Sequence, residues 1–382
     1  MDAAPWAGLA WALQILCQAL WSAQRARLRM SQAEIQQGLG QTLTILAGPW
    51  ALWRGTGFTG VLEAQALVWL VVLLAGLVWE AALPAGLALM PKEDRGVWRE
   101  IWAIAGWSIL GLAASAVLQY ADRLYTLSSG ARELAAYSVA TSLSLRAVSV
   151  FGLLSTLMVP ALSAARSDPE RWATIQSLFI RATGVLAGAV FVPMAAGGAV
   201  LLGVWIAPEV EERSRPWIML IATGGLALAL ANAYISILLG MDGARHFAFS
   251  AIAGALVGLT AGRLAQALGA PGAAWMGVTG NTVIVLWRGR TVARHGLGRA
   301  GWGWAWQSLP WLLAAAGGSW ILQALGFPRW FGHSLPMVLE SFAVAGSLIL
   351  GAALAVDAAV SAKRGRLPLL SQLLRLRRSP AA

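Results

Sequence analysis

Eleven runs of about 20 predominantly apolar residues, bounded by charge, proline or glycine, dominate this chain. Runs of that length match the hydrocarbon thickness of a bilayer, where no water is available and only helices or closed barrels satisfy their own backbone. They lie near 4 to 22, 37 to 54, 58 to 82, 98 to 121, 134 to 160, 178 to 206, 216 to 240, 246 to 268, 272 to 292, 304 to 326 and 335 to 361. An all-α, polytopic membrane fold of about 11 transmembrane helices follows. Only 12% of residues are charged, about half of what a soluble domain carries. The second run is the weakest, because Gln36, Gln37 and Gln41 thin it, and Pro193 predicts a kink in the sixth.

The net charge of +11 invites a nucleic-acid reading, but the basic residues sit between apolar runs, so membrane orientation explains them better. Twenty of the 28 Lys and Arg fall in one set of alternate loops and seven in the other, with Arg146 the remainder. The richer set, which includes Arg181 and Arg288, predicts its side and the C-terminus to be cytoplasmic. An odd number of spans then places the N-terminus outside. Asp2 is the only charge before Arg25, so the first run lacks the basic region of a secretory signal and reads as a retained span. The 21 tryptophans cluster where spans meet loops, at Trp50, Trp53, Trp98, Trp102, Trp302, Trp304 and Trp306, as in an interfacial belt; no soluble basic domain uses them to stack on nucleic acid.

Enzymatic motifs are scarce. Cys17 is the only cysteine, which excludes intrachain disulfides and a cysteine-based metal site. His246, His295 and His333 lie far apart, and no GxxxxGK[ST] is present, so no catalytic residue, metal ligand or cofactor is assigned. Transport by such a chain draws on an ion gradient, the membrane potential or the substrate gradient. The acidic group Glu209, Glu211 and Glu212, beside Arg213 and Arg215, reads as helix-flanking charge. Glycines at four-residue steps, Gly254, Gly258 and Gly262, and also Gly184 and Gly188, predict close helix packing. The tail from Lys363 to Arg378 mixes basic residues with leucines, which fits either an interfacial helix on anionic lipids or a solvated tail.

Two polar stripes cut into membrane-length sequence. Ser108, Gly111, Ser115, Gln119 and Asp122 share one helix face, and Ser138, Ser142, Arg146 and Ser149 share another. Arg146 lies roughly 18 Å into its span at helical rise. A guanidinium at that depth is costly unless it faces protein or water. Arg146, Asp122, Arg123, Gln119 and Ser142 are therefore candidate cavity-lining, substrate-binding residues. Other roles are open to them: Asp122 and Arg123 as interfacial charges, and Arg146 as a snorkelling side chain or a partner of Asp122. Asn232, four residues before Ser236, is a further candidate that can equally serve as helix glue.

An aspartate closing a span (Asp122), Ala-Tyr-Ser-Val-Ala (Ala136 to Ala140) and a long helix ending Met-Val-Pro-Ala-Leu-Ser (Met158 to Ser163) resemble the seventh and eighth helices of polysaccharide (O-antigen type) flippases. Those belong to the multidrug/oligosaccharidyl-lipid/polysaccharide exporter superfamily. Val204-Trp205-Ile206 and the stretch Leu268 to Ala274 continue the resemblance. It implies a two-lobed flippase fold: a partial N-terminal lobe of three helices over 1–90, a C-terminal lobe plus two extra helices over 97–361, and a basic cytoplasmic tail over 362–382. Three helices of such a transporter would precede the first run, in keeping with the outward N-terminus expected from charge. The implied function is alternating-access movement of a polyprenyl-diphosphate-linked oligosaccharide across the bacterial inner membrane, in polysaccharide or lipopolysaccharide biosynthesis. The implied partners are that lipid-linked oligosaccharide, anionic membrane lipids, and a polysaccharide polymerase or glycosyltransferases. Asp122 fits the family's aspartate, whereas Arg146 rests on the physics of its position alone. The competing readings are a cation-coupled multidrug exporter, a membrane-embedded transferase on the same lipid carrier, and an inactive truncated fragment.

Overall fold

A computed structural model describes residues 3–26, 30–81, 95–127, 130–165, 168–241, 243–296, 313, 317–330, 332–363 and 371. The described elements are helical and divide into two compact units, Met1–Arg95 and Gly96–Ala382. Six of the helices are long and apolar enough to cross a membrane. The protein is a polytopic helical membrane protein. The tenth run, near 304 to 326, and the basic tail lie mostly outside the described residues.

The first unit holds α1 (Ala3–Ala26), α2 (Met30–Trp53) and α3 (Gly57–Ala81). Its core joins Ala10, Leu13, Cys17 and Trp21 of α1 to Ala33 of α2 and to Ala66, Trp69 and Val72 of α3. Trp21 and Trp69 meet at 6.1 Å between ring centres, and Gly40 lets the indole of Trp69 come so close that a Cβ there would stand 2.8 Å from it. The glutamines that thin α2 have a structural use: Gln24 donates through Nε2 to Gln36 Oε1 at 3.2 Å, and both are buried. Polar pairs of this kind hold apolar helices in register where lipid offers no alternative partner.

The second unit holds α4 (Arg95–Tyr120), the short α5 (Asp122–Leu127), α6 (Ala131–Ala164), α7 (Pro169–Trp205), α8 (Pro208–Gly240), α9 (Ala244–Ala267) and α10 (Gly272–Gly296). They are followed by α11, helical over 317–324, and α12 (Leu335–Lys363). Local sequence sets several boundaries. Asp168 caps α7 by accepting from the N–H groups of Glu170 and Arg171, with Pro169 in the first turn. Pro208 opens α8, and Glu209 and Glu211 in its first turn oppose the positive end of the helix dipole. Glu211 also pairs with Arg215 and Arg329, so the acidic loop cluster is helix-flanking charge.

The core of this unit is built on α8, whose Ala222, Leu226, Ala227, Leu230, Ala231, Tyr234 and Ile237 are buried among α6, α7 and α10. The glycine stripe of α9 meets α10 backbone to backbone. A Cβ on Gly254 would stand 2.8 Å from the Gly280 carbonyl oxygen, one on Gly258 2.8 Å from that of Met276, and one on Gly262 3.0 Å from that of Gly272. On α7, Arg181 forms an ion pair with Asp357 of α12. Arg288 on α10 is 1% exposed, donating from Nε to Ser250 Oγ at 2.9 Å and from Nη1 to the Ala231 carbonyl at 3.0 Å. Both arginines were counted as loop cations from sequence, and that assignment is corrected here. Both lie within apolar runs on helices rather than in loops: Arg288 is buried, its charge met by Ser250 and a carbonyl, and Arg181 is half-buried, its charge met by a carboxylate.

Candidate functional site

The end of the polar stripe turns inward, Gln119 from the last turn of α4 and Asp122 from the start of α5. Gln119 and Asp122 line a cavity of about 50 Å³ together with Tyr137, Thr141 and Ser144 of α6, Gly224 and Gly225 of α8, and Asn281 of α10. Glycine on α8 makes the approach possible: a Cβ on Gly225 would stand 2.3 Å from Ser144 Oγ and 2.6 Å from the ring of Phe191. Gly224 sits against the α10 backbone, where its carbonyl accepts from Asn281 Nδ2 at 3.3 Å. Ser144 Oγ donates to the Ile221 carbonyl at 3.4 Å. The side chains of α6 and α10 thus spend their hydrogen bonds on α8 and leave a gap between the three helices.

Asp122 is 4% exposed and sits at the break between α4 and α5. Tyr137 donates its hydroxyl to Asp122 Oδ2 at 2.7 Å, the length of a charge-assisted bond. Oδ1 is buried and has no hydrogen-bond partner among the described residues, and the same is true of Asn281 Oδ1. The cavity therefore presents two oxygen acceptors without a side-chain donor, Asp122 Oδ1 with the backbone N–H and charge of Arg123 close to its carboxyl group. Pairing of Asp122 with Arg146, open from sequence, is replaced by the Tyr137 bond.

The remaining sequence candidates go elsewhere. Ser142, Arg146 and Ser149 are exposed along the opposite face of α6, with Ser138 half-buried at its start. No described carboxylate pairs with Arg146, and its nearest local contact is a Ser149 hydroxyl that donates to its backbone carbonyl at 2.6 Å. Arg123 is half-buried, its guanidinium 5.2 Å from the Tyr120 ring centre, and its Nε is buried without a partner among the described residues. Asn232 is half-buried on α8 and does not line the cavity. Two groups are thus brought together: Asp122 with Gln119 inside, and Arg146 with Ser142 outside.

Tyr137 and Asn281 escaped the sequence reading. Asn281 is a polar residue in the middle of the run 272 to 292, flanked by Gly280 and Thr282, and that interruption is a legible signal. Tyr137 gave only the weaker hint of standing four residues before Thr141. Among the described residues no three His, Cys, Asp or Glu side chains converge as a metal cluster.

A cavity needs about 10–15 Å³ on this measure for one water, so this one admits a few waters or one small cation. The exposed stripe has no such limit of size and carries the opposite charge.

No family model matches the chain, and no curated protein aligns with it. Its fold is similar to a crystal structure of a MATE mutant protein, with a TM-score of 0.57 at 14% identity, over 74% of this chain and 67% of that one. At that identity the likeness is one of architecture: the chain has a MATE-type fold.

Proposed function

We propose that this protein is an alternating-access flippase in which the two polar faces of α6 have separate tasks. The exposed face, Ser142, Arg146 and Ser149, receives the diphosphate of a polyprenyl-linked oligosaccharide. The enclosed carboxylate of Asp122 takes up a small cation or a proton that drives the cycle. The observation that carries this reading is the separation itself. One cation stands exposed within the span Ala131–Gly152 without a described counter-charge, and one carboxylate stands buried beside a half-open cavity with room for a few waters or a small cation. A diphosphate at membrane depth needs a fork of donors, which a guanidinium supplies, while the lipid tail remains in the bilayer. Flanking hydroxyls add adaptable donors without adding charge.

Cation-coupled drug export shares the Asp122 half of this mechanism. It is disfavoured for cationic drugs by the exposed Arg146, which would repel them. The bacterial inner membrane, with the C-terminus in the cytoplasm, is the location that fits the loop charges and the lipid carrier. A polysaccharide polymerase or glycosyltransferases are the partners such a substrate needs before and after translocation.

The direct test is reconstitution into proteoliposomes with a fluorescent polyprenyl diphosphate sugar, scoring leaflet exchange with and without a sodium or proton gradient. Exchange whose gradient dependence is lost in Asp122→Asn, and whose rate falls but stays gradient-dependent in Arg146→Ala, supports the reading. Exchange indifferent to both substitutions rejects it.

A further inference from the structure

A second cavity, of about 80 Å³, lies beyond Tyr137 from the first. It is lined by Tyr125 and Thr126 of α5, Trp217 of α8, Gln266 of α9 and the turn residues Ala270 and Pro271. Tyr137 is the residue whose side chain borders both spaces. It is 2% exposed, holds Asp122 through its hydroxyl, and meets the edge of the Trp217 indole at 5.5 Å between ring centres and 68° between planes. This space lies at one end of the unit, where the end of α9, the start of α10, the first turns of α8 and the end of α5 come together, and like the first cavity it is half-open. Gly269, with φ of +73°, makes the tight α9–α10 turn that roofs it. The arginines nearest that end in sequence, Arg123, Arg132, Arg213, Arg215 and Arg263, belong to the loop set that charge asymmetry assigns to the non-cytoplasmic side.

We infer that Tyr137 is a partition between an outer vestibule and the Asp122 cavity, and that its rotation admits a small hydrated cation, or a proton on water, to the carboxylate from that side. The inference rests on Asp122 being the coupling carboxylate. Tyr137 is a positioning residue with a single ring to turn. In the closed position its hydroxyl occupies one oxygen of Asp122 and its ring fills the neck. When it swings away the two spaces join, and Oδ2 loses a donor that an incoming cation or water replaces. Thr126, whose hydroxyl donates to the Asp122 carbonyl at 3.0 Å, and the exposed Gln266 form the polar part of the vestibule wall. Trp217 backs the ring edge-on, so the closed rotamer is held by one hydrogen bond and one aromatic contact. Such a balance is easily tipped.

The test reads access to Asp122 directly. Full-length protein in nanodiscs is treated with a water-soluble carbodiimide and glycine ethyl ester, and amide formation at Asp122 is followed by mass spectrometry. Tyr137→Ala removes both the hydroxyl and the ring and is expected to speed labelling by more than about tenfold, tenfold being the factor that accompanies loss of a hydrogen bond to a charged group alone. Tyr137→Phe keeps the ring and the Trp217 contact, guards against a folding defect in the alanine variant, and is expected to give a smaller rise. Gln266→Trp fills the vestibule from an exposed position and is expected to slow labelling in both backgrounds. Unchanged labelling in Tyr137→Ala and Tyr137→Phe overturns the partition. A rise that Gln266→Trp leaves untouched places the opening elsewhere and overturns the route. Retention of gradient-driven exchange in Asp122→Asn instead removes the coupling role, whatever the labelling shows, so the two failures are told apart.

Discussion

The inner and outer faces of α6 are chemically similar in sequence and opposite in circumstance. The inner face offers Tyr137, Thr141 and Ser144, all buried, with the Tyr137 and Ser144 hydroxyls bonded to Asp122 and to α8. The outer face offers Ser142, Arg146 and Ser149, all exposed, with a guanidinium that no described carboxylate neutralises. The Ser144 hydroxyl on the first face fixes geometry because its partner is helix backbone that cannot move away. The same group on the second face is free to exchange partners, which is what binding and release of a headgroup require. The comparison teaches that polar residues in a membrane helix are not one population: enclosure turns them into structure and small-ion chemistry, exposure into recognition.

The largest expected effect falls on the inner face. Asp122→Asn removes the charge while keeping the shape, and gradient-driven exchange should fall roughly 100-fold, the upper range of a coupling free energy. Protein level in the membrane should stay normal, measured by blotting alongside flux. A fall in flux that is equal with and without the gradient would break the assignment of coupling to this face.

Next comes Arg146→Ala on the outer face. Affinity for a polyprenyl diphosphate should drop about tenfold, as for one charge-assisted bond pair, with the gradient dependence of the residual flux preserved. Arg146→Lys should recover part of it, because a point charge replaces a bidentate fork. Titration with the fluorescent lipid reads both variants, and equal loss in lysine and alanine would mean that geometry rather than charge governs the contact.

A third change probes how closed the inner face is. Gly225→Val puts a branched side chain where even a Cβ would meet Ser144 Oγ at 2.3 Å, and overpacking of this kind costs about 1–3 kcal/mol. A lowered Tm of the detergent-purified protein is the expected result. An unchanged Tm would show that α6 and α8 part readily and that the cavity is not held shut.

The smallest effect is expected from Ser142→Ala. One exposed neutral hydroxyl contributes about 0.5–1.5 kcal/mol at most when bonded, so affinity should change by less than about threefold, in the same titration. A larger loss would promote Ser142 from bystander to anchor and sharpen the map of the outer face.

Much of the architecture was legible in advance. Helix type and the order of elements follow from apolar run length, because a chain in lipid has few ways to satisfy its backbone. The glycine stripe of α9 announced a close helix contact, and α10 supplies it. Gln119 and Asp122 line one cavity, although a break at Ala121 places them on separate helices rather than on one helical face. Loop charge was a weaker guide, since Arg181 and Arg288 lie within apolar runs on helices, paired with Asp357 and with Ser250 and a carbonyl.

What the sequence by itself determined was a set of apolar helices and two stripes of polar residues at helical spacing. It did not determine which stripe of α6 meets Asp122. Tyr137, Thr141 and Ser144 recur at the same three- or four-residue steps as Ser138, Ser142, Arg146 and Ser149, and hydroxyls stand on both. In water one face of a helix must be apolar and the pattern betrays it. In a bilayer the lipid side is apolar as well, so periodicity loses that contrast. Only the tertiary structure decided, through the glycines of α8, which draw α6 in by the face that carries Ser144 and leave Arg146 on the other side.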